Sequence, residues 1–192
     1  MNKQELFETA VAMVADNKGL LAADESTGTM GKRLDSIGVE NVEEKRRDYR
    51  EMMFRSEGIG SYISGVILYD ETIRQSAADG TTLVKILQDA GVIPGIKVDA
   101  GAKELPGRPA EKITEGLDGL PKRVAEYYDL GARFAKWRGV VKISDSGAPS
   151  ELAIQQTVQA LARYASICQE NGLVRRGTFS RRKVRRGRFG VV

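Results

Sequence analysis

Charged side chains follow or interrupt several apolar runs of the sequence, and their chemistry suits an anionic ligand. Asp24 follows the run GLLAA, and Lys97 ends the run VIPGIK. In the apolar segment ARFAKWRGVVKI, strand alternation places Lys136 and Arg138 on one face. Because an unpaired cation inside a protein is strongly destabilising, an anionic group must lie opposite these two side chains.

Two kinds of anion could meet these cations. The first is a carboxylate such as Asp24, in a purely structural network. The second is a phosphorylated substrate held by Lys97, Lys136 and Arg138, since Arg binds phosphate through a planar fork of donors and Lys as a point charge. The segment STGT, residues 26–29, offers hydroxyls and backbone N–H groups ahead of a predicted helix, which favours the phosphate interpretation.

The order of the predicted elements indicates the fold that positions these groups. Helical segments separate the predicted strands GLLAAD, YISGVILYD, VIPGIKVD and ARFAKWRGVVKI, and LV at 173–174 begins a fifth. This alternation predicts a parallel sheet, which belongs either to a doubly wound open sheet or to a (β/α)8 barrel. The segment AADESTGTMGK matches a dinucleotide-binding fingerprint poorly. The charged strand ends favour the barrel, whose chemistry collects at the carboxyl ends of its strands.

Three local patterns carry further structural predictions. The segment EEKRRDYR, residues 43–50, is predicted to be a solvated helix face, with Asn41 opening a capping box. The polar stretch 100–119 is predicted to be a loop at the rim of a site. In the helix SELAIQQTVQALARYASICQENG, capped by Ser150, an apolar stripe is predicted to face the core: Ile154, Val158, Leu161, Ala165 and Cys168.

The composition excludes several classes of protein. The absence of histidine excludes a Ser-His-Asp triad and a His-based metal site, and the single cysteine excludes an intramolecular disulfide. No apolar run approaches the roughly 18 residues that span a bilayer. The N-terminus MNKQELFETA also lacks the apolar core of a signal peptide. We therefore expect a soluble, cytoplasmic chain with no membrane segment.

The C-terminal segment differs from the rest of the chain. Residues 175–192 contain eight Lys or Arg and no acidic residue, whereas residues 1–174 contain 22 basic and 26 acidic residues. A nucleic-acid-binding domain spreads basic residues over a folded face, so we expect no nucleic-acid partner. We expect a disordered basic tail that a shifted reading frame produced. A functional arm that binds polyanions and a splicing or assembly error are the alternatives.

Several segments, in order and with matching spacing, resemble class I fructose-1,6-bisphosphate aldolase. They are GLLAADESTGTMGKRLDSIGVENVEEKRRDYR, GVILYDET, PGIKVDAGAKEL, EGLDGL, ARFAKWRGVVKI and LARYASICQENGLV. The whole resemblance runs from about residue 4 to 174. The resemblance implies an incomplete TIM (β/α)8 barrel with about four to five of the eight βα units. It implies the glycolytic cleavage of fructose 1,6-bisphosphate to dihydroxyacetone phosphate and glyceraldehyde 3-phosphate, reversibly and through a Schiff base. It also implies a homo-tetramer without metal or other cofactor.

The resemblance assigns roles to individual residues. Asp24 matches the family's aspartate that assists bond cleavage and proton handling, and Lys136 matches the lysine beside the reacting carbons. Arg138 matches an arginine that serves a phosphate end of the substrate. The other matches are phosphate-side or rim residues: Ser26, Thr29 and Lys97 on the phosphate side, and Glu25, Lys32 and Arg33 on the rim.

The sequence departs from the family after residue 174. The family continues there with a strand ending PIVEPE, and its Schiff-base lysine lies on a later strand, whereas this chain reads RRGTFSRRKVRRGRFGVV. Neither Lys97 nor Lys136 matches the Schiff-base lysine. We therefore expect the chain as printed to be inactive. The alternatives to an aldolase function are a non-catalytic fragment and a basic-tailed protein that binds polyanions.

Overall fold

A computed structural model describes residues 3–145 and 147–183, with side chains described as far as Gly177. Helices and strands alternate along this part of the chain, as the sequence pattern predicts. None of the helices within it combines the length and the apolar character that crossing a membrane requires. The helices are α1 (Lys3–Met13), α2 (Thr27–Asp35), α3 (Glu43–Phe54), α4 (Ile59–Tyr62), α5 (Asp70–Ile73), α6 (Leu83–Asp89), α7 (Leu120–Asp129) and α8 (Glu151–Glu170); the strands are β1 (Gly19–Ala23), β2 (Ile63–Leu68), β3 (Ile93–Lys97), β4 (Ala102–Glu104), β5 (Lys112–Thr114), β6 (Phe134–Ile143) and β7 (Val174–Lys183).

The main sheet is parallel and adds its strands in chain order. Within the described residues its five strands lie in the order β1-β2-β3-β6-β7. In a doubly wound sheet the strand order reverses at a switch point, and here it does not. The order is therefore that of a (β/α)8 barrel. The short strands β4 and β5 form a separate antiparallel hairpin inside the stretch predicted to be a loop.

The inner face of the sheet has an apolar floor below its charged end. Met13, Ile67 and Phe134 are buried together there. A Cβ atom at Gly95 would overlap the ring of Phe134, so glycine at this position makes room for the ring. Side chains of the same face further along the strands, such as Lys136, then stand above this floor at the carboxyl end.

The outer face of the sheet is covered by helices, among them α8. Trp137 of β6 packs against Tyr164 of α8, with ring centroids 5.5 Å apart. The predicted apolar stripe of α8 is wrong in part: Cys168 is fully buried, but Ile154 is 42 % and Val158 is 60 % exposed. The residues of α8 that face the sheet are Ala153, Thr157, Ala160, Tyr164 and Cys168. Both stripes have helical spacing, so periodicity alone cannot distinguish them.

A buried hydroxyl ties α8 to both neighbouring strands. Tyr164 Oη donates a hydrogen bond to the carbonyl oxygen of Ala135, at 2.6 Å, and accepts one from the backbone N–H of Arg176, at 3.1 Å. Burial raises the pKa of Tyr164. The neutral hydroxyl therefore serves as donor and acceptor together at the junction of β6 and β7.

We expect Tyr164→Phe to lower the free energy of unfolding by about 1–3 kcal/mol, because a buried carbonyl and a buried N–H would lose their partner. Urea unfolding followed by circular dichroism would measure the shift in midpoint. Tyr62→Phe is the matched control, since Tyr62 is 72 % exposed and should change stability by less than about 0.5 kcal/mol. Equal midpoints for the two variants would contradict the role of the Tyr164 hydroxyl.

The strand β7 extends further than the sequence suggests. Val174 to Lys183 pair in parallel with Phe134 to Ile143 of β6, without a shift in register. The structure therefore differs from the expected disorder over residues 175–183, because the backbone N–H and C=O groups of any residue other than proline can pair along the edge of β6. Residues 184–192, the rest of the predicted tail, lie outside the described residues.

Candidate active site

A cavity of about 520 Å³ opens at the carboxyl ends of β1 and β3, beside the part of β6 from Lys136 to Val140. Eight of the nine site and rim residues named from the sequence line it, and Lys32 does not. They come from the ends of β1 and β3, the first half of β6 and the first turns of α2, and the chain separates the first from the last by more than a hundred residues. The lining residues are Asp24, Glu25, Ser26, Thr29, Arg33, Lys97, Lys136 and Arg138.

Asp24 and Lys136 form the ion pair at the centre of the cavity wall. Lys136 Nζ lies 2.8 Å from Oδ1 and 2.6 Å from Oδ2 of Asp24. Both side chains are largely buried, with 15 % of Lys136 and 10 % of Asp24 exposed. The pair supplies the carboxylate that one interpretation of the sequence required, and it leaves the ammonium group on the wall of a cavity that a ligand can enter.

Asp99 organises the neighbouring strand ends, and the sequence analysis did not assign it to the site. Its carboxylate lies 2.8 Å from Lys97 Nζ. The same carboxylate accepts hydrogen bonds from the backbone N–H groups of Gly101, at 3.1 Å, and Arg138, at 3.2 Å. Thr114 Oγ1 donates to the Arg138 carbonyl at 2.7 Å. Asp99 and Thr114 therefore hold the backbone that carries the exposed Arg138 side chain.

The first turn of α2 contributes hydroxyls and backbone N–H groups. Ser26 caps the helix, and its Oγ accepts a hydrogen bond from the Thr29 N–H at 3.4 Å. The Ser26 and Thr29 hydroxyl oxygens lie 3.2 Å apart. Arg33, one helical turn further on, forms an ion pair with Glu25. The positive end of a helix dipole thus adjoins the cavity, as it does in many anion sites.

The charge of the lining favours an anionic ligand. Four cations and three carboxylates line the cavity among the described residues: Arg33, Lys97, Lys136 and Arg138, with Asp24, Glu25 and Asp99. Both ammonium groups and the Arg33 guanidinium have carboxylate partners, which hold the lining in shape before a ligand arrives. The net positive charge of these lining residues and the α2 terminus suit a phosphate group.

A larger cavity, of about 980 Å³, lies on the outer side of Lys97, between α7, α8 and the hairpin. It is a poorer anion site. Arg74 is paired with Asp70 and Glu126, and Arg123 donates to the carbonyl oxygens of Val98 and Gly116. The smaller cavity is therefore the candidate active site.

Two arginines of α3 lie buried behind this site, and the prediction of a solvated face at residues 43–50 is wrong for them. Arg46 and Arg50 are 7 % and 0 % exposed. The predicted cap is wrong as well, since α3 begins at Glu43 and its N-cap residue, Val42, makes no side-chain bond. Opposite carboxylates, which the sequence pattern cannot reveal, make this burial tolerable.

No group of three or more Cys, Asp or Glu within the described residues has an arrangement that could hold a metal ion. The side chains that line the cavity offer a carboxylate beside an ammonium group, further cations, and hydroxyls at a helix terminus. Such a set can bind an anion and move a proton near it.

Comparisons with known proteins agree on one family. The family model of fructose-bisphosphate aldolase class-I matches residues 5–176. The chain is 57 % identical over 174 residues to the probable fructose-bisphosphate aldolase class 1 of Xylella fastidiosa, an alignment that covers 91 % of this chain and 52 % of the relative. It is 56 % identical over 170 residues to the cytosolic fructose-bisphosphate aldolase 4 of Arabidopsis thaliana, covering 88 % of this chain and 43 % of the relative.

A solved structure resembles the fold closely. It is the ternary complex of fructose-bisphosphate aldolase from Plasmodium falciparum with TRAP and a small-molecule inhibitor, with a TM-score of 0.90 and 49 % sequence identity. The match covers 93 % of this chain and 52 % of that chain. The chain thus spans about half the length of these relatives, and over that half both its sequence and its fold agree with theirs.

Proposed function

Because this chain belongs to the class I fructose-bisphosphate aldolase family, we propose that it supplies the Asp24 and Lys136 side of an active site that cleaves fructose 1,6-bisphosphate reversibly. The products are dihydroxyacetone phosphate and glyceraldehyde 3-phosphate. The observation that carries the proposal is the ion pair of Lys136 and Asp24 on the wall of a cavity lined by further cations. A substrate with a phosphate at each end needs such cations on both sides of the reacting carbons.

In this proposal Asp24 and Lys136 act at the carbon–carbon bond. As that bond breaks, the hydroxyl that becomes the aldehyde loses its proton, and the bonding electrons move to a protonated imine on the ketone carbon. Asp24 assists the proton transfer, and Lys136 balances the negative charge that develops beside it. We assign the imine to neither cavity lysine, since carboxylates hold both ammonium groups.

In this proposal the other residues that line the cavity bind the phosphate groups. Arg138 is an exposed cation among them and can turn its planar donors toward a phosphate. Lys97 adds a positive charge from the adjacent strand, and Ser26 and Thr29 add hydroxyls at the start of α2. Arg33 lies at the rim, where its pairing with Glu25 keeps a charged edge beside the entrance.

We expect Arg138→Gln to weaken binding of fructose 1,6-bisphosphate to the 192-residue chain by roughly tenfold, the loss that one charge-assisted hydrogen bond accounts for. Isothermal titration calorimetry at low salt would measure it. The Asp99 and Thr114 contacts go to the backbone of residue 138 and survive the substitution. Arg163→Gln is the matched control, because Arg163 lines the larger cavity. A greater loss from the Arg163 variant would place the ligand there and contradict this proposal.

Further aspects of the function are proposals as well. We propose a cytoplasmic location, which the cytosolic Arabidopsis and Pisum sativum relatives support, and a homo-tetramer. We propose no nucleic-acid partner, because basic residues exceed acidic ones only when 175–192 are counted. We also retain the division into residues 1–174 and a segment 175–192 from a shifted reading frame. The family match, which ends at residue 176, supports that division.

A further inference from the structure

Arg50 is a fully buried cation directly behind the candidate active site. Its side chain is 0 % exposed. Arg50 Nη2 donates a hydrogen bond to the carbonyl oxygen of Glu25 at 2.7 Å, and Nη1 lies 3.5 Å from a carboxylate oxygen of Glu71. A buried guanidinium is strongly unfavourable unless its charge and donors are compensated. Its main polar contact is thus with the residue that follows Asp24.

The hydrogen bonding of this buried group is incomplete. Arg50 Nε and Nη1, and Glu25 Oε2, make no hydrogen bond within the described part of the chain. Burial lowers the pKa of Arg50, and the charges of Glu25 and Glu71 oppose that shift. A buried side chain chosen for stability alone would more readily be apolar, because well-packed apolar replacements of buried ion pairs are often neutral or stabilising. The arginine therefore needs a reason other than stability.

The contacts of α3 converge on the turn between β1 and α2. Arg46 binds the Glu71 carboxylate through two nitrogens, at 2.9 and 2.6 Å. It also donates to the carbonyl and side-chain oxygens of Asn41, at 3.2 and 3.0 Å. Asn41 in turn donates to the Thr27 carbonyl at 3.4 Å. Arg50 and Asn41 thus hold the carbonyl groups on either side of Ser26, and this turn joins Asp24 to the cap of α2.

We propose that Arg50 is a positioning residue for the Asp24–Lys136 pair. By holding the Glu25 carbonyl from behind, Arg50 sets the direction in which the Asp24 carboxylate leaves β1 and meets the Lys136 ammonium. The catalytic importance of Asp24 in this inference rests on the proposed function. The effect of Arg50 on the Asp24–Lys136 ion pair does not depend on that function, so a measurement made without substrate can test it.

The test is the reactivity of lysine amines in the 192-residue chain. Reductive methylation attacks free amines, so pairing with Asp24 protects Lys136. We expect Arg50→Lys, which keeps the charge but loses the planar fork, to raise the methylation rate of Lys136 by roughly tenfold. Mass spectrometry of peptides would give each rate. Lys97 is the internal control, since Asp99 holds it in the same cavity, and its rate should stay unchanged.

Two further variants separate positioning from general loosening. Arg55→Lys is the matched control at the C-cap of α3, because Arg55 pairs with Glu51 and Asp79 at the surface, and it should leave the Lys136 rate unchanged. Asp24→Asn alone should raise that rate, and adding Arg50→Lys should raise it no further, because both changes release the same contact. Additive effects, or equal increases at Lys97 and Lys136, would overturn the proposal.

A second route covers the case in which the Arg50 variant does not fold. Glu71→Gln removes the carboxylate that faces both buried arginines while keeping the side-chain volume. It should raise the Lys136 rate by a smaller factor than Arg50→Lys, again with Lys97 unchanged. An unchanged Lys136 rate in this variant would refute the positioning role. A chain that passes these tests but binds no fructose 1,6-bisphosphate would refute the proposed function alone.

Discussion

Substitution of Lys136 by methionine should lower kcat for fructose 1,6-bisphosphate cleavage by roughly 10²–10⁴-fold. The measurement needs a chimera in which this chain replaces the matching part of the Xylella fastidiosa relative, whose alignment covers 174 residues at 57 % identity. The physical reason is the ion pair at 2.6–2.8 Å. Methionine fills a similar volume, but it leaves the largely buried Asp24 carboxylate without a counter-ion beside the reacting carbons.

Two control variants make this result specific. Lys85→Met should leave kcat and KM unchanged, because Lys85 lies on α6 and pairs only with Asp89 among the described residues. Lys97→Met should act mainly on KM, because a phosphate contact stabilises the ground state and the transition state almost equally. A Lys136→Met chimera with near-normal kcat would contradict the role proposed for the Asp24–Lys136 pair.

The 192-residue chain alone is expected to show no aldolase activity and to form no imine that borohydride can trap with dihydroxyacetone phosphate. An amine must lose its proton to attack a carbonyl, and both lysines that line the cavity form ion pairs with carboxylates. Lys97 lies 2.8 Å from Asp99, and Lys136 lies 2.6 Å from Asp24. Intact-mass measurement after reduction would reveal any adduct.

The chimera serves as the positive control for trapping, since the X. fastidiosa relative is a probable class 1 fructose-bisphosphate aldolase. An adduct on the chimera but not on the chain would locate the imine outside the residues described. An adduct on Lys97 or Lys136 of the chain would contradict the assignment. In that case a cavity lysine would act as the nucleophile in spite of its carboxylate partner.

Local sequence signals located most of the elements, and together with the family resemblance they identified most of the charged residues that line the cavity. Ser150 and Thr82 cap α8 and α6 through side-chain oxygens, as expected of hydroxyl residues placed just before an apolar helical repeat. Strand alternation in FAKWR correctly separated Lys136 from the buried Trp137. Because parallel strands share one carboxyl edge, the polar residues at the ends of β1 and β3 lie beside the Lys136 level of β6, and they line one cavity.

Which face each helix buries depended on contacts between distant segments. The α8 stripe of Ile154 and Val158 is more apolar than the face that packs on the sheet. That face is nevertheless selected, because small residues allow close approach and Tyr164 reaches backbone groups of β6 and β7. Spacing along one helix contains no information about such partners.

The burial of the α3 arginines could not be predicted from the sequence, because it too depends on contacts between distant segments. Arg46 and Arg50 stand in a charged segment that resembles a solvated helix face, and only the folded chain brings Glu71 and the Glu25 carbonyl to them. Asp99 likewise appears in the sequence as one more charge after a strand, and the pairing of β3 with β6 brings the Arg138 N–H to its carboxylate. Local sequence patterns determine the helices and strands and the polar residue types that follow them, because both depend on residues that are close in the chain. The partners that hold this chemistry in place were decided by the tertiary structure, because a buried charge is stable only where the fold brings its counter-charge.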